Sequence, residues 1–153
     1  MTAPSPRLAV RALILHEDRL LMVNAFPDSH GSDLWCAPGG GVERGSSLPE
    51  NLAREIREET GLEIEVGDPV LVNEFNDPEG IFHQVDLYFR ATIVGGEIDG
   101  DWTDPEGVVT RRRFVTRDEL AEIRHKPDSL SAAAWPLPGD APVLYDPLEP
   151  IQH

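Results

Sequence analysis

The 153-residue chain carries 13 Lys and Arg against 28 Asp and Glu, a formal net charge of −15. This acidity excludes the basic surface that non-specific nucleic-acid binding needs. The single cysteine excludes an internal disulfide framework, and no apolar stretch approaches the roughly 20 residues of a membrane-spanning helix. The length predicts a single domain over 1–153, and no signal-peptide pattern stands at its start. A reduced, cytoplasmic protein is therefore expected.

The first part of the chain has the period-two alternation of a half-buried strand. Apolar residues at 8, 10, 12 and 14 share one face, a turn is predicted at 16–18, and a second apolar run follows at 20–23. The pattern predicts a β-hairpin. At the three glycines 39–41 we expect no regular structure, only a sharp turn or a close approach of the backbone.

A helix is predicted over 48–60. Ser47 and Glu50 fit a capping box, and Gly61 stands where a helix C-terminal glycine belongs. Beyond it, the pattern predicts short strands at 64–66 and 70–72, a half-buried strand at 85–93, a strand at 108–115, and a capped helix from 116 to about 124. A proline-rich C-terminal tail follows from about 127, and Trp135 and Tyr145 predict that it packs onto the domain. The whole is typical of an α+β fold.

The predicted helix concentrates acid on one side. At 100° per residue, Glu55, Glu58 and Glu59 fall within an arc of about 100°. This arc overlaps the apolar side of the helix, so the carboxylates are expected at the edge of a cleft. Glu55 and Glu59 are a like-charge pair, unfavourable by roughly 0.2–0.5 kcal/mol. A hard cation such as Mg²⁺ explains the cluster; the alternative is a helix end that happens to be rich in glutamate.

Residues 40–62 resemble the signature of the Nudix hydrolase family. The signature reads Gly, five residues, Glu, seven residues, then Arg-Glu-apolar-X-Glu-Glu-X-Gly-apolar, and the matching residues are Gly40, Arg54, Glu55, Ile56, Glu58, Glu59, Gly61 and Leu62. Six of these, all except the apolar Ile56 and Leu62, are of invariant type, and six such residues at fixed spacing arise by chance about once in 10⁷ positions. One position departs, because Ser46 stands where the first signature Glu belongs, and the nearby Glu43 cannot occupy the same place. The resemblance covers about residues 7–124.

The resemblance implies a Nudix fold, with a mixed β-sheet sandwiched between helices in α/β/α layers. It also implies hydrolysis of a pyrophosphate bond in a nucleoside diphosphate linked to another group. In this family Mg²⁺, or Mn²⁺, bridges the phosphates and activates the attacking water. By the same resemblance Glu58 and Glu59 are metal ligands and Glu55 is a ligand or a base. The carbonyl near Gly40 would complete the metal shell, and Arg54 would orient the carboxylates.

Further site candidates rest on weaker patterns. Family members often supply another acid from a late loop, for which Glu106, with Asp104 beside it, is the candidate; the alternative is a polar turn. Arg112, in the basic cluster 111–113, is a candidate phosphate contact, although solvated strand arginines explain the cluster as well. Phe26 is a candidate for stacking a base, or belongs to the core. Cys36 is interpreted as a packing residue rather than a nucleophile.

Three functions remain open from the sequence. The first is a Mg²⁺-dependent pyrophosphohydrolase that acts on an ADP-ribose-like compound or a nucleoside triphosphate. The second is a catalytically weak Nudix-fold module that binds nucleotides or regulates, which Ser46 favours; the third is a general acidic interaction domain. Pro78 lies where some ADP-ribose-cleaving branches have a proline, although a turn explains it equally. The negative charge favours the less charged ADP-ribose. A homodimer is compatible with the sequence.

Overall fold

The computed structural model describes residues 4–27, 30–97, 104–105, 107, 109–136, 139 and 143–153. Within them lie the strands β1 (Arg7–His16), β2 (Arg19–Asn24), β3 (Trp35–Cys36), β4 (Gly39–Gly41), β5 (Glu63–Asn76), β6 (His83–Gly95), β7 (Arg112–Val115), β8 (Leu144–Tyr145) and β9 (Glu149–Pro150). The helices are α1 (Leu48–Thr60), α2 (Arg117–Glu122) and α3 (Leu130–Ala134). None of these helices has the length and apolar character needed to cross a membrane.

The strands form one mixed sheet in the order β3-β2-β1-β6-β5-β8. β4 adds to β1, β7 to β2, and β9 to β5. The central pair, β1 and β6, is parallel, and its register sets Arg7 opposite Gln84 and Ala9 opposite Asp86. Since directly paired residues share a face of the sheet and side chains alternate along each strand, Arg7 and Arg11 of β1 lie on the same face as Gln84 and Asp86 of β6.

The sheet buries an apolar core on each of its faces. On one face α1 packs against β1 and β5, and the main side chains of this core are Val10, Ile14, Leu21, Leu52, Ile56 and Leu62. On the other face α2 and α3 pack against the sheet, with a core that includes Leu13, Met22, Leu71, Tyr88, Leu120 and Leu130. A mixed sheet between helices is the expected architecture, so the predicted α+β fold with α/β/α layers is confirmed.

Helix α1 begins and ends at the predicted residues. The Ser47 side-chain oxygen accepts a hydrogen bond from the Glu50 N–H at 3.2 Å. Gly61 ends the helix with a left-handed φ of 74°, a conformation that strains residues with a Cβ. Both ends are therefore fixed by local chemistry, and the carboxylates between them keep their helical spacing.

The glycines 39–41 differ from the expectation, because they form the strand β4 and pair with β1. The expected close backbone approach is present. A Cβ on Gly39 would stand 2.0 Å from the Val10 carbonyl oxygen, and Gly39 has a φ of 154°. Only glycine allows this strand to lie so close to β1. The three glycines, whose low strand propensity predicted irregular structure, are therefore required for the pairing.

Two further elements differ in length from the prediction. The two short strands predicted at 64–66 and 70–72 are one strand, β5, since register shifts near Val66, Pro69 and Leu71 accommodate the proline as bulges. The strand predicted from 108 begins only at 112. Before it, the Asn24 side-chain oxygen accepts the N–H groups of residues 110 and 111 at 3.0 and 2.9 Å, in place of a strand partner.

The tail packs onto the domain, as its aromatic residues predicted. Trp135 donates its indole N–H to the Asp18 carbonyl oxygen at 3.3 Å and contacts the core under α2 and α3. Farther along, β8 and β9 pair in parallel with β5. The tail thus continues the sheet at the β5 edge.

Candidate active site

The three glutamates of α1 lie along one cavity, opposite the glycine strand. Glu55, Glu58 and Glu59 line this space of about 220 Å³ together with β4. The other charged residues that line it are Asp104 and two arginines of β1, Arg7 and Arg11. We call this space the acidic cavity. It brings the three carboxylates that the sequence singled out to the glycines that the same signature contains.

The glycines of β4 allow the carboxylates to reach the backbone. The Gly39 N–H donates to Glu59 Oε2 at 2.9 Å. The Glu55 carboxylate fills the space beside Gly40, where a Cβ would meet its atoms at 2.6–2.9 Å. A side chain at residue 40 would therefore displace Glu55, so the glycine and the glutamate form one unit of the site.

Arg54 is the common partner of Glu55 and Glu58 on α1. Its guanidinium donates to Glu58 at 3.3 Å and to Glu55 at 3.3 Å, and it forms an ion pair with Glu43 at 3.7 Å. Arg54 does not line the acidic cavity. These contacts are those of a residue that orients carboxylates from behind rather than one that contacts a ligand.

Glu59 is a buried carboxyl group of the cavity whose pKa is strongly perturbed. Burial raises its pKa from 4.5 to about 8, and the neighbouring charges of Glu55 and Asp104 add to the rise. Arg11 and the Gly39 N–H act in the opposite direction but do not offset the burial. Without a cation, charging this carboxylate is therefore costly at neutral pH.

Arg11 joins the cavity to the polar row on β6. Its Nε lies 3.4 Å from Asp86 Oδ2, and its Nη1 donates to the Ala37 carbonyl oxygen at 3.2 Å. Burial opposes the charged form, yet the Asp86 carboxylate keeps the pKa of Arg11 above its ordinary value. Burial raises the pKa of the adjacent Cys36 to about 11, so this thiol is protonated at neutral pH and is not a ready nucleophile.

The residues of the acidic cavity suit a divalent cation by their chemistry. Carboxylate oxygens and a backbone carbonyl of β4 are the ligands that Mg²⁺ prefers. Among the residues that the structure describes, no three Asp, Glu, His or Cys side chains converge as a ready metal cluster. Glu58 instead faces Arg54, and Glu59 accepts from Gly39. The burial of Glu59 beside two other carboxylates is the feature that a cation would relieve.

The candidates for an additional acid have separate outcomes. Asp104 lines the acidic cavity, is 5% exposed, and accepts the Val109 N–H at 2.9 Å. Glu106, the favoured candidate from the sequence, lies outside the described residues. Ser46 is exposed and does not line the cavity, and neither does Glu43.

Asn51 organises the loop before α1, a role that the sequence did not reveal. Its side-chain oxygen accepts the Glu43 N–H at 2.8 Å, and its amide donates to the carbonyls of Ser47 and Ser46 at 2.8 and 3.1 Å. The side chain is 1% exposed. A side-chain amide can donate and accept hydrogen bonds at once. An asparagine four residues after the helix N-cap is therefore the sequence signal that could have identified this role of Asn51.

The two candidate substrate contacts lie in different places. Arg112 is at the far end of α1, where it donates to the carbonyl oxygens of Thr60 and Glu97. Arg112 lines neither the acidic cavity nor the adjoining cavity that contains Phe26, described next, so the structure gives no support for a substrate contact. The guanidinium carbons of Arg111 and Arg113 instead lie over the Trp35 ring, 5.3 and 5.8 Å from its centroid.

Phe26 lines a second space, which adjoins the acidic cavity. This aromatic cavity has a volume of about 230 Å³, and Phe75 and Phe82 also line it. Arg7 and Arg11 border both cavities. These arginines were not identified from the sequence, because an arginine in a half-buried strand gives no indication of the face it shares with other strands.

Arg7 lies at the junction of the two cavities. Its Nη1 donates to Gln84 Oε1 at 2.9 Å, and its guanidinium covers Gly41, where a Cβ would meet Nη2 at 2.5 Å. Among the described residues it forms no ion pair with a carboxylate. A guanidinium whose described partner is a neutral amide can donate further hydrogen bonds to an anionic group of a ligand at this junction.

Comparison with known proteins agrees with this geometry. The model of the NUDIX domain matches residues 5–136. The chain is 29% identical to YjhB of Bacillus subtilis over 135 residues, which cover 84% of this chain and 60% of that protein. It is 30% identical to the ADP-ribose pyrophosphatase of Methanocaldococcus jannaschii over 93 residues, 61% of this chain and 54% of that one.

A solved structure described as a UDP-X diphosphatase superposes with a TM-score of 0.73 at 22% identity, over 95% of this chain and 70% of that one. At this identity the superposition bears on the fold alone. The match to the family model, by contrast, spans most of the chain and includes β4, α1 and the acidic cavity. The chain therefore belongs to the NUDIX domain family.

Proposed function

We propose that this protein hydrolyses a pyrophosphate bond in a nucleoside diphosphate linked to another group, with divalent cations held in the acidic cavity. The observation that carries the proposal is that Glu55, Glu58 and Glu59 line one cavity with the strand β4. A helix that exposed these acids to solvent would not need glycines at 39–41 to bring the backbone against them.

When bound, Mg²⁺ or Mn²⁺ would lower the pKa of an attacking water and neutralise charge on the phosphates. Glu58 and Glu59, with the carbonyl near Gly40, would hold the cations, and Glu55 would act as a ligand or as the base. Arg54 positions Glu55 and Glu58 through the hydrogen bonds that its guanidinium donates to both carboxylates. Asp104, which lines the same cavity, is a candidate for a further ligand.

The two adjoining cavities suggest how a substrate would lie. The diphosphate would occupy the junction between the acidic cavity and the guanidinium of Arg7, and the rest of the molecule would extend into the aromatic cavity. ADP-ribose is the first choice of substrate. The high negative charge of the chain favours it over a triphosphate, and the relative from M. jannaschii is named for its cleavage.

A substrate screen tests the proposal directly. Nucleoside di- and triphosphates, nucleotide sugars and dinucleotides would be incubated with Mg²⁺ or Mn²⁺, and nucleoside monophosphate release would be measured. Glu59→Gln should lower turnover by at least about 10²-fold, because a ligand charge is lost in the transition state. Glu50→Gln is the matched control, since Glu50 lies on the exposed first turn of the same helix. Equal turnover of wild type and Glu59→Gln would refute the assignment.

A catalytically weak nucleotide-binding module is the second candidate. Two observations favour it: Ser46 replaces a signature acid and is exposed, and the described carboxylates do not converge as a cluster. Such a protein would bind nucleoside monophosphates yet release none from any substrate of the screen. If kcat/KM for a nucleoside triphosphate exceeded that for ADP-ribose more than tenfold, the proposed substrate would be wrong, whereas the proposed pyrophosphohydrolase activity would stand.

We also propose Mg²⁺ as the physiological cation. The chain is proposed to form a single domain over 1–153 and to be located in the cytoplasm. Light scattering of the purified protein would decide between a monomer and a homodimer.

A further inference from the structure

The segment 143–153 is bound to the sheet by backbone hydrogen bonds. It runs parallel to β5 through β8 and β9. The Asp146 N–H donates to the Val72 carbonyl oxygen at 2.9 Å, and the Ile151 N–H donates to the Asn76 carbonyl oxygen at 2.8 Å. The segment thus holds a defined position along the β5 edge.

Side-chain contacts fix the same segment to the rest of the protein. Asp146 Oδ2 accepts from the Asn73 amide at 3.0 Å and from the Ser129 hydroxyl at 2.6 Å. Asn73 is 3% exposed and lines the aromatic cavity, so this anchor reaches the cavity wall. Lys126 and Glu149, which also line the cavity, form an ion pair at 3.6 Å.

The segment supplies one wall of the aromatic cavity. Residues 149–152 line it, although none of them belongs to the signature or to the acidic cavity. Three aromatic rings line the same space, those of Phe26, Phe75 and Phe82. Phe75 and Phe82 have centroids 5.8 Å apart. A cavity lined by several aromatic rings favours a planar aromatic occupant.

The charges of the cavity argue against a phosphate as its occupant. Arg11 is paired with Asp86 at 3.4 Å, and Lys126 with Glu149 at 3.6 Å, and all four residues line the cavity. Arg7, which has no carboxylate partner among the described residues, lies at the end that meets the acidic cavity. The interior is therefore suited to an uncharged group, with the anionic part of the same molecule at Arg7.

We propose that the segment 143–153 is the specificity-determining wall of the aromatic cavity, in which Ile151 and Gln152 contact the nucleobase of a nucleotide. Ile151 provides the apolar contact, and Gln152 provides an amide that can both donate to and accept from the base edge. The inference rests on the proposed function for its substrate class, but the binding it describes does not require hydrolysis.

The test measures binding and selectivity separately from activity. AMP, GMP, CMP and UMP would be titrated by calorimetry into the full chain with Mg²⁺ present. Ile151→Ala should weaken the tightest of the four by about tenfold, because it removes most of an apolar contact. Gln152→Ala should narrow the spread of affinities among the four bases. Leu148→Ala, in the same segment but 49% exposed and outside the cavity, should stay within twofold of wild type.

Each outcome decides the proposal. It stands if either cavity variant changes affinity or selectivity as expected while Leu148→Ala does not. It is overturned if neither does, if Leu148→Ala has an equal effect, or if none of the four nucleotides binds wild type. With an active enzyme, the Ile151→Ala effect should fall on KM more than on kcat. A wild type that binds through Ile151 but hydrolyses nothing would refute the proposed function and keep this inference.

Discussion

The burial of Glu59 predicts that the metal-free protein loses stability as the pH rises. Its pKa is raised from 4.5 to about 8 in the folded protein. The folded state therefore holds this proton more tightly than the unfolded state. The free energy of unfolding is highest below about pH 4.5 for this group, and it falls as the pH rises towards about 8. At about 1.4 kcal/mol per pH unit, the loss reaches about 4 kcal/mol by pH 8.

Glu59→Gln removes the titration while its side-chain oxygen can still accept the Gly39 N–H. In EDTA the variant should therefore be more stable than wild type by about 4 kcal/mol at pH 8, and the difference should shrink towards pH 5. Urea unfolding at intervals between pH 5 and pH 8 would measure it, with Glu50→Gln as the control for a lost surface charge. Titrating groups distant from Glu59 are common to both proteins and cancel in the difference.

A bound cation should reverse this pattern in wild type alone. Mg²⁺ stabilises the charged carboxylate and binds only the folded state, so it should restore stability at pH 8 by mass action. Parallel pH profiles of wild type and Glu59→Gln in EDTA would refute the electrostatic account of the cavity. Restoration by Na⁺ at matched ionic strength would point to general screening instead.

Three further predictions concern residues around the same cavity. Gly40→Ala should displace Glu55 and lower turnover at least tenfold with the fold retained, as circular dichroism and the substrate assay would measure; unchanged turnover would contradict the close packing of the two residues. Asn51→Ala should lower the free energy of unfolding by about 1–3 kcal/mol, since the loop loses the hydrogen bonds that the buried Asn51 side chain makes to its backbone, and urea unfolding would detect it. Ser46→Glu should tighten the apparent affinity for Mg²⁺ or raise turnover modestly; an inert protein that stays inert after this change would favour the binding module.

The local part of the site was predictable from the sequence. Ser47 and Gly61 fix the ends of α1 through contacts within a few residues, so the helix and the spacing of its acids follow from the sequence itself. The glycine strand was not predictable in the same way. Whether Gly39 lies in a turn or in a strand depends on β1, which is some thirty residues earlier, and intrinsic propensity carries no such information.

The aromatic cavity was the least predictable part. Phe26 was identified as a candidate, but Arg7 and Ile151 acquire their roles only because distant strands share a sheet. The parallel register of β1 with β6 brings Arg7 to Gln84, and the pairing of the tail with β5 brings Ile151 to the same space. Long-range register, rather than residue type, decides these placements.

The parallel pairing of β1 with β6 also has a consequence for how the protein folds. The hydrogen bond between Arg7 and Gln84 joins residues 77 positions apart in the chain. Such a contact forms only after a long loop has closed, which is a slow and entropically costly step. Before this contact forms, the junction of the two cavities does not exist as a nucleotide-binding site. A ligand that binds only the completed junction stabilises the folded state, so we expect it to slow unfolding more than it speeds folding.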